Sequence, residues 1–149
     1  MIVRALLVLA LLWSGVAFAR ELPAPTVRHG EDRWGGHTVE RHVGKSDAEL
    51  RARLARDRRL DTASTFDTAE IAAHVIESTL AERSPELVVW LARAPPGSRR
   101  VLDHRGGARI GRAIRADDPR TVLPMRNARL VIEALGQGRW RLITAYPSF

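Results

Sequence analysis

The chain has 149 residues, no cysteine, 45% hydrophobic and 28% charged residues, which is one domain's worth of sequence with enough apolar content for a buried core. That balance excludes a disulfide-stapled scaffold and an apolar-poor disordered segment. Lys+Arg number 24 against 17 Asp+Glu, giving a net charge of +7 carried almost wholly by arginine, since Lys45 is the only lysine; nucleic acid, an anionic membrane surface or an acidic glycan are the partners such a charge favours.

The first apolar run reads as a secretory signal peptide over residues 1–19. Arg4 gives it a positive start, Ala5 to Leu12 an apolar stretch, and Ala17-Phe18-Ala19 the small-x-small pattern of a cleavage site. The run is shorter than the roughly 20 residues a membrane span needs, so a secreted or periplasmic chain starting near Arg20, with no integral span, is expected. Residues 20–33 hold Pro23, Pro25 and Gly30 without sustained periodicity and read as an extended leader, and the domain is placed at 34–149.

Ser46-Asp47-Ala48-Glu49 matches a capping box and predicts a helix to about Arg58. A strand is expected at Ala63 to Phe66. Asp67-Thr68-Ala69-Glu70 repeats the helix-start signal, with Ala72, Val75, Ile76 and Leu80 on one stripe. Ser84-Pro85 reads as the start of a further short helix, because proline suits the first helical position, and Ala94-Pro95-Pro96-Gly97 ends it. Beyond Gly97 the chain reads as strands at Arg99 to His104, Ala108 to Arg115, Ala128 to Leu135 and Arg139 to Tyr146, with a hairpin turn at Gly136 to Gly138. Helices first and an antiparallel sheet afterwards predict an α+β domain.

Several chemistries are set aside at once. There is no cysteine nucleophile, no G-x-S-x-G elbow, no phosphate-cradling G-x-x-x-x-G-K-[ST] loop and no H-E-x-x-H helix. His37 and His42 are five apart, off the spacing that sets two ligands on one helix face, so metal catalysis is disfavoured and no cofactor is expected. Two constellations remain. Gly35 to Lys45 places His37, His42 and Lys45 ahead of a helix carrying Arg51 and Arg53, a set able to move a proton near neutral pH and to hold phosphate oxygens. Spacing does not choose between Arg51 and Arg53, which flank opposite sides of the Leu50/Leu54 stripe. At the other end, strand alternation puts Trp140, Leu142, Thr144 and Tyr146 on one face, so that the Thr144 and Tyr146 hydroxyls stand side by side.

Gly36-His37-Thr38, His42-Val43-Gly44-Lys45-Ser46-Asp47-Ala48-Glu49-Leu50, Arg53-Leu54, Ala63-Ser64-Thr65-Phe66 and Thr144-Ala145-Tyr146-Pro147 together resemble the bacterial RNase A-like domain, the toxic C-terminal part of contact-dependent growth-inhibition proteins. The resemblance covers about residues 34 to 148. It implies a kidney-shaped α+β ribonuclease, N-terminal helices on an antiparallel sheet, without the disulfides of its vertebrate relatives. Carried over, the active-site histidine falls on His42, the arginine on Arg53, and the C-terminal pair on Thr144 and Tyr146, hydrogen-bonded to each other. His37 is a candidate second proton-transfer group, Lys45 a candidate phosphate contact and Thr65 a candidate base contact. The expected function is a secreted, metal-independent endoribonuclease that uses the ribose 2′-hydroxyl to form a 2′,3′-cyclic phosphate, either a toxin against competing bacteria with a cognate immunity protein or a scavenging nuclease. The rival reading is a non-catalytic exported basic protein that binds nucleic acid or an anionic envelope surface.

Overall fold

The structure, a computed structural model, describes residues 21–26, 33 and 36–149; the expected signal peptide at 1–19 lies outside them. Among the described residues, no helix is long and apolar enough to cross a membrane. The elements run α1 (Thr38–His42), α2 (Asp47–Arg56), β1 (Thr62–Phe66), α3 (Ala69–Leu91), β2 (Arg99–Arg105), β3 (Gly111–Arg115), β4 (Leu123–Met125), β5 (Asn127–Gly136) and β6 (Arg139–Ser148). The class is α+β, with the strands divided between two antiparallel three-stranded sheets of order β1-β3-β4 and β2-β5-β6.

The two sheets carry two cores. Val75, Ile76, Leu80, Leu87 and Leu91 of α3 pack on Leu102, Leu130, Ile132, Trp140 and Leu142 of β2-β5-β6, all buried. A smaller cluster joins Leu50 and Leu54 of α2 to Ala63 of β1 and Ile114 of β3. The sheets meet where β1 approaches the end of β6, and there the Ser64 hydroxyl donates to the Pro147 carbonyl at 2.7 Å.

The capping box forms as the sequence implies. Glu49 N donates to Ser46 Oγ, and the Glu49 carboxylate accepts from Ser46 N at 2.7 Å. At the next helix start the cap is Thr68, whose side chain accepts from Ile71 N. Asp67 is thereby left to pair with Arg109 and Arg112. Arg112 also reaches Asp47 and the Lys45 carbonyl, at 2.8 and 2.7 Å, tying β3 to the loop between α1 and α2.

The structure corrects four sequence expectations. No separate helix begins at Ser84: α3 runs unbroken through Pro85. Interior proline costs about 3 kcal/mol, and the cost is offset here because Leu80, Leu87 and Leu91 remain buried on one continuous stripe. The strand placed at Ala108 to Arg115 starts only at Gly111, where a Cβ would lie 2.1 Å from the Thr65 carbonyl oxygen. Strand β4 was not foreseen; it is three residues long with Pro124 at its centre, as suits an edge. The fourth concerns β6. Val131 opposes Thr144 whereas Ile132 opposes Leu142, so Ile143 is an extra, unopposed residue. Such a bulge reverses the alternation: Trp140 and Leu142 point into the core, as do Ala145 and Pro147 beyond it, while Thr144 and Tyr146 turn to the opposite face. The two hydroxyls share a face, but not the face of Trp140 and Leu142.

Candidate active site

Helix α1 is five residues long, far too short to be stable alone. Its anchors hold it. Gly36 abuts the bulge so closely that a Cβ would sit 2.6 Å from the Leu142 carbonyl oxygen and 2.7 Å from that of Ile143. Two residues on, the buried Thr38 hydroxyl accepts from Ala145 N at 2.8 Å. Val43 then bridges Phe66 and Gly44 N donates to the Phe66 carbonyl, fastening the helix to β1. Gly44 has φ +64°, a left-handed turn that glycine adopts without penalty. Held at both ends, α1 directs His42 into the seam between the two sheets.

That seam is a cavity of about 530 Å³ lined by His37, Arg41, His42, Arg53, Leu60, Thr62, Ser64, Ile143, Thr144 and Tyr146. His42 is 8% exposed and its ring centre lies 5.6 Å from that of Tyr146. Arg53 Nη1 lies 3.5 Å from His42 Nδ1. Arginine only donates, so this contact is made by the Nδ1 lone pair, which places the proton of the neutral ring on Nε2. Burial, reinforced by the charge of Arg53, lowers the His42 pKa from 6.5 to about 4; the Ser64 carbonyl opposes the shift. At neutral pH His42 is a neutral base with Nδ1 unprotonated.

The depressed pKa has a consequence for stability. Between pH 6.5 and about 4 the unfolded chain carries a proton on His42 that the folded chain refuses. The His42 contribution is therefore complete above pH 6.5 and is lost as the pH falls through that window, by roughly 3 kcal/mol in all. Urea unfolding of the wild type and of His42→Gln at pH 7 and pH 4.5 checks this. The wild type should lose about 2 kcal/mol more than the variant; equal losses would contradict the assigned charge state.

The structure brings His37, His42, Arg53, Thr144 and Tyr146 to one cavity. His37 is exposed and its Nδ1 lies 3.3 Å from Glu40. No hydrogen bond joins the Thr144 and Tyr146 hydroxyls among the described residues, contrary to expectation. Lys45 lies at a neighbouring cavity. Thr65 does not reach either one: it is fully buried, its hydroxyl accepting from Lys45 N and donating to the Phe66 carbonyl, both at 3.0 Å. Arg51 is turned away and donates to the Pro119 carbonyl at 2.8 Å. Sequence reasoning missed Arg41 and Ser64. Arg41 precedes His42 on a helix too short for a periodic signal, and Ser64 acts through its backbone, which no side-chain pattern reveals.

Comparison with known proteins shows the family and the fold. The sequence model of the family described as the bacterial CdiA-CT RNAse A domain matches residues 36–147, a span that contains His42, Arg53, Thr144 and Tyr146. A crystal structure of a CdiA-CT/CdiI complex from Y. kristensenii 33638 is similar at TM-score 0.68 and 26% identity, covering 76% of this chain and 100% of that one. No curated protein matches.

Proposed function

Because the chain belongs to the bacterial CdiA-CT RNase A domain family, we propose that it is a metal-independent endoribonuclease whose centre is the seam between its two sheets. The observation that carries this reading is a buried, neutral His42 beside Arg53 and across from Tyr146 in one cleft. His42 Nδ1 takes the proton of a ribose 2′-hydroxyl, a role for which an unprotonated ring is required. The 2′-oxygen attacks the adjacent phosphorus, the bond from phosphorus to the 5′-oxygen breaks, and a 2′,3′-cyclic phosphate remains. Arg53, drawn from Nδ1 onto the phosphate oxygens, stabilises the charge of the pentacoordinate species and frees the lone pair for the proton. Tyr146 gives its hydroxyl proton to the departing 5′-oxygen and recovers one from water, and Thr144, on the same face, orients the phosphate.

The signal-like residues 1–19 support export, and the CdiI-bound relative supports an antibacterial role with a cognate immunity protein for this chain also. The chemistry is tested by its products. RNA incubated with the purified protein in EDTA should be cut to fragments ending in 2′,3′-cyclic phosphate. Cleavage that needs added Mg²⁺, or leaves 5′-phosphate and 3′-hydroxyl ends, would reject the mechanism.

A further inference from the structure

Tyr146 does not stand alone on its face of the sheet. Asp103 of β2 opposes Arg129 of β5, and Arg129 opposes Tyr146 of β6, so the three form one row across the strands. Directly opposed residues on one face lie close enough for their side chains to meet. The row faces away from α3, because Ala128 and Leu130, on either side of Arg129, are buried in the α3 core and strand alternation turns Arg129 outward. Tyr146 shares that face because the extra residue Ile143 reverses the alternation of β6. The bulge that turns the tyrosine to the cleft therefore also turns it to the arginine.

Arg129 serves both neighbours at once. Its Nε donates to Asp103 Oδ1 at 3.1 Å, and its side chain is hydrogen-bonded to that of Tyr146. Asp103, and after it Tyr146, raise the Arg129 pKa above its ordinary value. The polarity of the second contact is fixed by chemistry: arginine only donates, so the Tyr146 oxygen accepts. A phenol has a single hydrogen, and Arg129 offers it no acceptor. That hydrogen is left for a group in the cleft, which Tyr146 lines.

We propose that Arg129, anchored by Asp103, is a positioning residue that holds Tyr146 as a hydrogen-bond donor toward the departing 5′-oxygen. This deepens the ribonuclease reading and rests on it for the reaction. As the bond from phosphorus to the 5′-oxygen breaks, the Tyr146 O–H bond breaks with it. The proton goes to the 5′-oxygen and the electron pair stays on Oη, beside the guanidinium, until water returns a proton. A cation fixed beforehand next to an oxygen that gains charge stabilises the step without reorganisation. Arg129 itself touches no reacting atom.

The test separates leaving groups. Arg129→Met keeps an aliphatic stem and removes the guanidinium from a half-exposed position, so the sheet is retained. It should lower kcat for RNA about 10-fold with KM within about twofold, because a charge-assisted hydrogen bond is lost while substrate contacts stay. The same variant should keep at least about half of wild-type kcat on a ribonucleoside 3′-phosphodiester of para-nitrophenol, whose leaving group departs without a proton. In a Tyr146→Phe background Arg129→Met should add no further loss on RNA. Arg139→Met removes the same charge at the far end of β6 and should leave both kcat values unchanged. Equal losses on the two substrates, a raised KM, or full additivity with Tyr146→Phe would place Arg129 on the phosphate and overturn the proposal.

The contact is also read without cleavage. Tyr146 is the only tyrosine in the chain, so the tyrosine Raman doublet reports on it alone. The intensity ratio of that doublet rises when the phenol oxygen accepts a hydrogen bond. It should fall in Arg129→Met and hold in Arg139→Met; an unchanged ratio in Arg129→Met would overturn the positioning role. A protein that cuts neither substrate yet shows the fall would refute the ribonuclease reading and leave the hold of Arg129 on Tyr146 standing.

Discussion

His42→Ala should lower kcat for RNA cleavage by ~10²- to 10⁴-fold, the usual worth of a general base. The ring is 8% exposed, and its Nδ1 is the lone pair in the cleft that burial and Arg53 keep unprotonated at neutral pH. No other described group is placed to replace it: His37, the second histidine of the cavity, is exposed and sits against Glu40. The truncated side chain leaves space between α1 and β1, so unfolding free energy and near-ultraviolet circular dichroism must be measured beside the rate. A folded variant that retains more than a tenth of wild-type kcat would remove His42 from the reaction. A further check comes from pH. The acid limb of kcat/KM should fall near pH 4 in the free enzyme, well below the 6.5 of an ordinary histidine, and Arg53→Ala should move it upward while burial keeps it below 6.5.

Arg53→Ala should cost ~10²- to 10³-fold in kcat, because a charge aimed at the developing phosphorane acts in a partly dry cleft where it is worth far more than in water. Arg51→Ala removes the same charge two residues away and should change the rate less than about threefold. The reason is geometric: Arg53 lines both cavities and faces His42 Nδ1, whereas Arg51 is turned to the Pro119 carbonyl. Steady-state rates of the two variants at equal ionic strength decide the matter. Comparable losses would mean that the arginine-rich surface acts only as a diffuse field, which is the behaviour of a basic binder without a site.

Local chemistry made much of the fold readable. The Ser46/Glu49 box and the Thr68 cap announce their helices because each satisfies orphan backbone N–H groups with a side chain close in sequence. The β5–β6 hairpin is announced by Gly136-Gln137-Gly138, where all three residues have positive φ. What stayed hidden depends on contacts remote in sequence. Helix α1 exists because Gly36 and Thr38 dock on β6, more than a hundred residues away. Pro85 misleads because its local signal favours a helix start, and only the buried stripe of α3 overrides it.

The site shows the same division. Residue types put forward His37, His42, Arg51, Arg53 and the Thr144/Tyr146 pair, and the resemblance to a known family selects His42 and Arg53 among them. Physically, Arg53 differs from Arg51 because α2 packs Leu50 and Leu54 on Ala63 and Ile114, an orientation that periodicity alone leaves free to either flank. Alternation gives Thr144 and Tyr146 a shared face, yet the face they occupy is set by Ile143, whose extra length in β6 shows only in its register against β5. Without that bulge the two hydroxyls would enter the α3 core.

In the proposed reaction the nucleophile is the substrate's own 2′-hydroxyl, activated by His42. The most direct measurement is cleavage, in EDTA, of an RNA oligomer carrying one 2′-deoxy nucleotide at a known position, with the all-RNA oligomer as reference. Cleavage is expected on the 3′ side of every accessible ribonucleotide and not on the 3′ side of the deoxy position, while both oligomers bind with the same affinity and salt dependence. Cleavage at the deoxy position at an undiminished rate would contradict it, because no 2′-oxygen is there to attack.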